Sequence, residues 1–348
     1  MRRFSLLLCL LLVSAPGCDT AEEVFASVRV MSQNLYLGGD LFVVANEPDP
    51  RLIPVRVAQL YSTMEASNPA ARMAAIAAEI VRVNPALVGL QEVTTYYVQS
   101  PADNLPGGAG TSATVVTYDF LQLLLDALAD QGASYTVAAR ADNADVEFPA
   151  TPDGTTFFDV RYRDADVILA RSDVQTSNPR TQAFQALLTI PVGGVDQTFT
   201  RSYQSVDATV NGLDLTFFNT HLEGGGPAEP IQVLQAGELL TPLGAATRPV
   251  ILVGDINSDA ITRQSSYQTL TVPLTDAFGT ATTPTCCQAA DLRNATSTHA
   301  TRIDVVLSKG FTSTTEAEVV LDTPAERVGG IWPSDHAGVW AELRTVVL

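Results

Sequence analysis

Cysteine is scarce in this chain of 348 residues, which has four. Cys9 and Cys18 lie near the N-terminus, and the other two are the neighbours Cys286 and Cys287. Neighbouring cysteines rarely bond each other because the ring that they close is strained, so the sequence predicts no disulfide framework. No nearby cysteine or histidine completes a zinc-ligand spacing. A redox pair and a metal site are alternatives, but we expect the two cysteines to have a structural role in a loop.

Positive charge is also scarce. Lysine and arginine total 20, against 38 aspartates and glutamates, which gives a formal net charge of -18. This balance argues against a protein whose affinity rests on broad neutralisation of phosphates by basic side chains. It leaves room for a hydrolase that meets phosphate through bound cations, because an ion inverts the local potential. Most of the acidic residues are equally explained as surface charges that keep the protein soluble.

No apolar run near the N-terminus is long enough to span a bilayer. The run from Phe4 to Val13 follows two arginines, a pattern typical of a signal peptide. The sequence Ala-Pro-Gly-Cys that ends at Cys18 resembles a bacterial lipoprotein signal, in which the cysteine becomes the lipidated first residue. The alternative is an ordinary secretory signal cleaved nearby. We predict a signal peptide at residues 1–18, a short tether at 19–26, and an exported protein that is lipid-anchored to a membrane or secreted.

The rest of the sequence shows no internal repeat and no linker long enough to divide it. Residues 27–348 are therefore predicted to form one domain. Apolar residues make up 46% of the chain, enough for a sizeable core. Predicted strands outnumber predicted helices, and both alternating and fully apolar strands occur. The pattern predicts an α+β fold of two packed sheets with helices over their outer faces.

Polar side chains stand at the ends of the predicted strands. In the segment VILVGDINSDA, apolar residues run directly into Asp255 and Asn257. Residues two apart on a strand face the same side, so these two side chains would project into one pocket. Glycine, aspartate and asparagine are also common turn formers, and a turn explains this segment alone equally well.

The same feature recurs at five further strand ends. They carry Asn34, Gln91 with Glu92, Asn219 with His221, Asp304, and Asp335 with His336. A lone histidine at such a place is usually a satisfied structural residue, but two of the three histidines in the chain stand here. Carboxylate and amide oxygens suit hard divalent cations such as Mg²⁺. Carboxylates can also activate water, and histidines can bind phosphoryl oxygens or move protons. The set predicts phosphoester hydrolysis.

The motifs together resemble those of the endonuclease/exonuclease/phosphatase superfamily, over nearly the whole domain. They read SQNLY, NPALVGLQEV, FFNTHLEG, LVGDINSD, RIDVVLS and SDHAGVWAEL. The superfamily includes secreted deoxyribonucleases, abasic-site repair endonucleases, sphingomyelinases and inositol-phosphate phosphatases. The resemblance implies a four-layer α/β/β/α sandwich of two mainly antiparallel sheets flanked by helices, with the active site at one edge of the sheets.

The resemblance also implies roles for individual residues. The metal, Mg²⁺ or Mn²⁺, would be bound by Asn34, Glu92 and Asp335. The catalytic residues would be His221 at the phosphate or leaving group, Asp255 on the attacking water, Asn257 on the phosphoryl group, and His336 hydrogen-bonded by Asp304. Asn219 and Arg302 are candidates for substrate binding, although a salt bridge explains Arg302 equally well. Asp166 lies where members of the superfamily vary, and His299 is interpreted as a loop residue.

The sequence thus predicts an exported, divalent-metal-dependent phosphodiesterase of the endonuclease-like type, acting on nucleic acid or a related phosphodiester. The alternatives are a phosphoesterase like the sphingomyelinases or inositol phosphatases, and a non-catalytic surface binding module on the same fold. A nuclease needs a basic or aromatic groove, and no basic run occurs. Trp332 is a candidate for membrane contact, although packing explains it better. The expected partners are the phosphoester substrate and, through the lipid anchor, a membrane; no protein partner is inferred.

Overall fold

The computed structural model describes residues 24–104, 110–192 and 195–347. The predicted signal peptide lies outside the described residues, and so do Cys9 and Cys18. The first strand begins at Val24, inside the stretch predicted as a tether. Among the described residues, no helix has the length and apolar character needed to cross a membrane.

Strands dominate the described part of the chain. They are β1 Val24–Asn34, β2 Leu87–Gln91, β3 Thr95–Gln99, β4 Val115–Asp119, β5 Tyr135–Ala150, β6 Phe158–Arg171, β7 Gln175–Ala183, β8 Leu188–Val192, β9 Val195–Phe199, β10 Ser202–Val210, β11 Leu213–His221, β12 Val250–Asp255, β13 Thr275–Asp276, β14 Asp304–Lys309, β15 Ser313–Val320 and β16 Gly338–Val347. The α-helices are α1 Phe42–Ala45, α2 Ile53–Ala66, α3 Pro69–Val83, α4 Phe120–Asp130, α5 Glu229–Ala245 and α6 Ser265–Leu270.

Two large sheets pack face to face. The first has the order β15-β16-β1-β2-β6-β3-β4, with β5 paired to β6, and the second has the order β13-β14-β12-β11-β10-β7. β1 runs parallel to β2, and β11 runs parallel to β12. The other pairings among the described strands are antiparallel, and β8 and β9 form a separate hairpin. The predicted sandwich of two mainly antiparallel sheets is confirmed.

Three apolar clusters form the layers of the sandwich. The cluster between the sheets includes Val28 of β1 and Phe217 of β11. A second cluster packs α2, α3 and α4 against the outer face of the first sheet, and a third packs α5 and α6 against the second sheet. In α3, Met73, Ile76 and Ile80 are fully buried at helical spacing. Each such side chain contributes about 1.5–3 kcal/mol of transfer free energy, so helix packing fixes the outer layers.

A small polar seam interrupts the apolar layer between the sheets. The amide of Gln91 on β2 donates to Asn219 Oδ1 on β11 at 2.7 Å, and the Asn219 amide donates to Gln204 Oε1 at 2.9 Å and to the carbonyl of Leu90 at 3.0 Å. Gly89 makes room for this seam, because a Cβ there would collide with Asn219 Oδ1. The paired amides hold the two sheets at a fixed offset.

Candidate active site

The polar strand ends meet at one edge of the sandwich because of the two parallel pairs. Parallel neighbours carry their C-terminal ends to the same edge, so Asn34 pairs in register with Gln91, and His221 with Asp255. β14 runs antiparallel to β12, and its first residue, Asp304, therefore lies beside Asp255. The two sheets bring these groups together across the seam.

Asn34 connects the two sheets at this edge. Its amide nitrogen lies 3.3 Å from Glu92 Oε1 and 3.2 Å from Asp255 Oδ2. Glu92 Oε2 accepts from the backbone N–H of Leu37 at 2.8 Å. Glu92 and Tyr36 both have left-handed backbone, with φ of 54° and 58°. Residues other than glycine seldom adopt this conformation, and such strain is concentrated at functional sites.

Asp255 is the hub of the cluster. Its Oδ2 lies 3.2 Å from the Asn34 amide, 3.5 Å from His221 Nε2 and 3.7 Å from His336 Nε2. Its Oδ1 accepts from the backbone N–H of Asn257 at 2.9 Å. Burial is the main cause that raises the pKa of Asp255 to about 7, and His336 opposes the shift. A carboxyl group with this pKa is suited to take up a proton near neutral pH.

The last histidine is held by a carboxylate. His336 Nδ1 lies 2.9 Å from Asp304 Oδ2, which leaves Nε2 directed to Asp255. Burial alone would lower the pKa of His336, but Asp304, Asp255 and Asp335 together raise it well above its ordinary value. His336 is therefore a cationic donor at neutral pH.

His221 has the opposite character. Arg201 Nη1 lies 2.9 Å from His221 Nδ1, and a guanidinium can only donate. Nδ1 must accept, so the imidazole proton is on Nε2, which is the nitrogen that faces Asp255. Burial, followed by the charges of Arg201 and His336, lowers the pKa of His221 well below its ordinary value. His221 is a neutral donor through Nε2.

Asp335 is placed by a loop behind the cluster. Its backbone carbonyl accepts from the N–H of Gln288 at 2.9 Å and contacts His299 Nε2 at 3.1 Å. His299 is thus a loop residue, as expected, and it braces the turn that carries Asp335. The same loop holds Cys286 and Cys287, and the backbone of Cys286 forms an antiparallel β-bridge with His336. The two cysteines thus lie in a loop beside the site, and their structural role stays a prediction.

Two predicted substrate residues do not face the cleft. Asn219 is fully buried in the seam, with its amide engaged by protein partners. Asn219 lies on the same face of β11 as His221, but it is two residues further from the edge and is covered by the first sheet. Arg302 is also buried, and it forms an ion pair with Asp276 at 2.8 Å beside the ring of Phe278. The structure therefore corrects both assignments, and for Arg302 the salt bridge is the right interpretation.

Residues without a motif complete the site. Arg201 precedes β10 in an unremarkable polar segment, and only the fold brings it to His221. Asp166 on β6 is fully buried, with Oδ1 3.8 Å from His221 Nδ1. Burial, and then the Asp164 carboxylate, raise the pKa of Asp166 well above its ordinary range. The sequence contained no spacing that could have connected these side chains to His221.

The donors at the edge fit a hard divalent cation. Asp335 Oδ1 is buried and has no hydrogen-bond partner within residues that the structure describes. Glu92 Oε1 receives only the long contact from Asn34. Burial raises the pKa of Asp335 to about 7, and the nearby Glu92 carboxylate adds to the shift. Both carboxylates line the same cleft and are incompletely satisfied, and carboxylate oxygens are the ligands that Mg²⁺ and Mn²⁺ prefer.

A cleft with two unlike walls opens above these donors. One wall carries Glu92, Asp335, Glu223 and Arg201. The other wall is formed by α1 and the β8–β9 hairpin. Its apolar residues include Leu41, Phe42, Ala45, Leu188, Ile190 and Phe199. Arg201 is the one basic residue among the described residues that line the cleft. Trp332 is fully buried away from solvent, so packing explains it.

Comparison with known proteins agrees with this architecture. A model of the Endonuclease/Exonuclease/phosphatase family matches residues 31–336. No curated protein matches the sequence significantly. A protein of the same family from Bacteroides thetaiotaomicron is 18% identical, with a TM-score of 0.58 over 94% of this chain and 98% of that chain.

Two further solved structures are similar. A mannosyl-6-phosphatase from Bacteroides thetaiotaomicron is 19% identical, with a TM-score of 0.56 over 91% of this chain and 99% of that chain. Truncated TDP2 from Caenorhabditis elegans is 17% identical, with a TM-score of 0.52 over 92% of this chain and 98% of that chain. At these identities the likeness establishes the fold. Together with the family match over residues 31–336, it shows that the chain belongs to the Endonuclease/Exonuclease/phosphatase family, a family of metal-dependent phosphoester hydrolases.

Proposed function

We propose that the protein is an exported phosphodiesterase that uses Mg²⁺ or Mn²⁺. The observation that carries the proposal is the placement of Asp255 Oδ2 within 3.2–3.7 Å of Asn34, His221 and His336. One carboxylate oxygen thus lies between a metal-ligand candidate and two histidines of different charge. This arrangement provides a proton acceptor and two hydrogen-bond donors around one small volume.

The metal site in this proposal is formed by Asn34, Glu92 and Asp335. A bound divalent cation would polarise a phosphoryl oxygen and offset the charge that develops in the transition state. Asp255 Oδ2 would orient the attacking water and accept its proton. His221 would donate from Nε2 to a phosphoryl oxygen, a contact that is strongest when negative charge builds up there.

The remaining side chains would hold the reacting groups in place. His336, kept cationic by Asp304, would stabilise the phosphoryl oxygens from the side opposite His221. Asn257 lies 3.3 Å from His221 through its amide nitrogen and would bind the same phosphoryl group. Water would form the new bond to phosphorus, and its proton would pass to Asp255. The bond to the leaving oxygen would break, and the alkoxide released would take its proton from solvent.

The charge of the cleft favours a diester over a monoester. The described lining has four carboxylates, including Asp40 and Glu223, against the single guanidinium of Arg201. Even with one divalent cation bound, this lining repels a phosphomonoester dianion more than a diester monoanion. We therefore expect faster hydrolysis of diesters than of the corresponding monoesters.

The apolar wall favours a second candidate substrate over a long nucleic acid strand. Phe42 is 63% exposed at the cleft, and the wall continues over Ile190 and Phe199. Such a wall suits a phosphodiester with an apolar arm, of which a phospholipid is one example. A nucleic acid strand would need more cationic contacts along its backbone than Arg201 provides.

A hydrolysis screen with and without chelator tests these proposals. Plasmid DNA, RNA, sphingomyelin vesicles, a generic aryl phosphodiester and the matching monoester should each be assayed with Mg²⁺ and Mn²⁺. We expect metal-dependent diester hydrolysis that is lost in Glu92→Gln and retained in Asp40→Asn, a matched change on an exposed carboxylate of the same cleft. Full activity in chelator or in Glu92→Gln would contradict the mechanism, and inactivity of the native protein on every substrate would favour a binding module.

A further inference from the structure

A second group of carboxylates lies far from the active site. Asp103 follows β3, Glu147 is on β5, and Asp159 is near the start of β6. One carboxylate oxygen of each lies within 4.8 Å of the others. Along β6, Asp159 is seven residues from Asp166 beside His221, a span of about 23 Å at the usual rise of a strand. The group is therefore separate from the catalytic cluster.

Each carboxylate uses one oxygen to hold a backbone N–H group of the segment around it. The bonds are Asp103 N and Asn104 N to Asp159 Oδ2 at 2.7 and 3.1 Å, Thr111 N to Asp103 Oδ2 at 3.2 Å, and Ala113 N to Glu147 Oε2 at 2.9 Å. These bonds attach both ends of the connection between β3 and β4 to β5 and β6. They leave Asp159 Oδ1 and Glu147 Oε1 available for another partner.

The second oxygens of the two inner carboxylates are buried and unpaired. Asp159 is fully buried, and no donor in the described part of the chain reaches its Oδ1 or the Oε1 of Glu147. The nearby Arg161 is committed to Asp145 at 2.6 Å and to the carbonyl of Ala113 at 3.2 Å. Burying anionic oxygens without a cation or a donor is costly. Burial also raises the pKa of Glu147, and Asp159 adds to that shift.

We propose that Asp103, Glu147 and Asp159 bind a divalent cation, and that the cation is Ca²⁺. All the available donors are hard carboxylate oxygens, which suits Ca²⁺ and Mg²⁺. Ca²⁺ accepts irregular geometry and fills its remaining positions with water, whereas Mg²⁺ needs an octahedron that three carboxylates from separate segments do not impose. The cation would fasten the connection between β3 and β4 to the sheet, and its role would be structural.

Calorimetric titration with Ca²⁺ tests the proposal, in a Glu92→Gln background so that the catalytic metal site does not contribute. We expect one Ca²⁺ per chain, weaker binding of Mg²⁺, and a melting temperature that rises with Ca²⁺ concentration. Asp159→Asn and Glu147→Gln should each weaken binding about tenfold or more, the scale by which even outer-shell partners alter metal affinity. Asp130→Asn, a change to an exposed carboxylate at the end of α4, should leave it unchanged.

Thermal melting of the protein in chelator distinguishes a cation site from the alternative, in which the three side chains are held together by a proton shared between two carboxylates. Without metal, Glu147→Gln removes one of three neighbouring carboxylates, so it should melt at or above the native temperature. In chelator, a melting temperature of Glu147→Gln clearly below that of the native protein would overturn the proposal. So would the absence of Ca²⁺ binding at millimolar concentration, or binding that Asp159→Asn and Glu147→Gln leave intact.

Discussion

Replacing Asp255 by asparagine tests the hub of the proposed mechanism with almost no change in shape. If the new amide oxygen keeps the bond from the Asn257 N–H at 2.9 Å, the amide nitrogen faces the Asn34 amide and the Nε2–H of His221. Donors then point at donors, and the proton acceptor is gone. If the amide turns over, the bond to Asn257 is lost instead.

The expected effect is on turnover. Loss of a positioned general base costs roughly 10²–10⁴-fold in kcat, equivalent to about 3–5 kcal/mol of transition-state stabilisation. KM should change much less, because the interaction is formed in the transition state. The measurement is steady-state hydrolysis of a small aryl phosphodiester with saturating Mg²⁺, normalised to folded protein. Turnover of Asp255→Asn within about threefold of the native value would refute the role that we assign.

Stability provides an internal check on this variant. The folded state raises the pKa of Asp255 from 3.8 to about 7, so its carboxyl group lowers folding stability as pH rises through this interval. Asparagine does not titrate, so the melting temperature of metal-free Asp255→Asn relative to that of the native protein should rise as pH increases from about 4 to about 7. Asp259→Asn is the control, because Asp259 accepts backbone N–H groups of Ile261 and Thr262 outside the cluster. That change should lower the melting temperature and leave kcat nearly unchanged.

Three further predictions follow from neighbouring features. Asp304→Asn should lower kcat in the native protein and have little further effect in His336→Ala, because the pair acts as a unit; a double-mutant cycle measures this, and additive losses would contradict it. Arg201→Met should lower kcat about 10²-fold and shift His221 away from the Nε2–H tautomer, which ¹⁵N NMR of the imidazole measures. Arg201→Lys should restore part of the activity, and an unchanged tautomer in Arg201→Met would contradict the assignment. Mass spectrometry of the mature protein should find a lipidated N-terminus at Cys18, and a free N-terminus elsewhere would favour a secreted form.

The strand ends were predictable because two local rules suffice for them. An apolar run that stops at a polar residue marks where a strand leaves the core, and parallel neighbours leave at the same edge. Asn34, Glu92, His221 and Asp255 follow these rules. The turn interpretation of Asp255 is also correct, since its Oδ1 accepts from the N–H of Asn257 and Asn257 has a left-handed φ of 51°. The turn and the clustering of side chains occur in the same few residues.

The remaining contacts depend on distances across the sandwich, which no local pattern encodes. Arg201 reaches His221 because β10 and β11 pair with a particular register. The strand pattern places Asn219 on the same face as His221 and so predicts that it faces the cleft. Whether Asn219 is exposed there depends on how far the first sheet covers the second, and in the structure the first sheet buries it. Each of these contacts depends on the tertiary structure.

The amide seam between Gln91, Gln204 and Asn219 has a consequence for catalysis. Sliding one sheet by a single residue would move its strand ends by about 3.3 Å and leave these amides facing apolar groups, at about 1–3 kcal/mol for each lost partner. Asn34 and Glu92 belong to one sheet and Asp255 to the other, so the same slide would pull the proposed metal ligands away from the proposed base. Replacing Gln91 and Asn219 together by apolar residues should therefore yield a protein that folds but populates states in which the two sheets are misaligned. The precision of the cleft thus depends on side chains that substrate never touches.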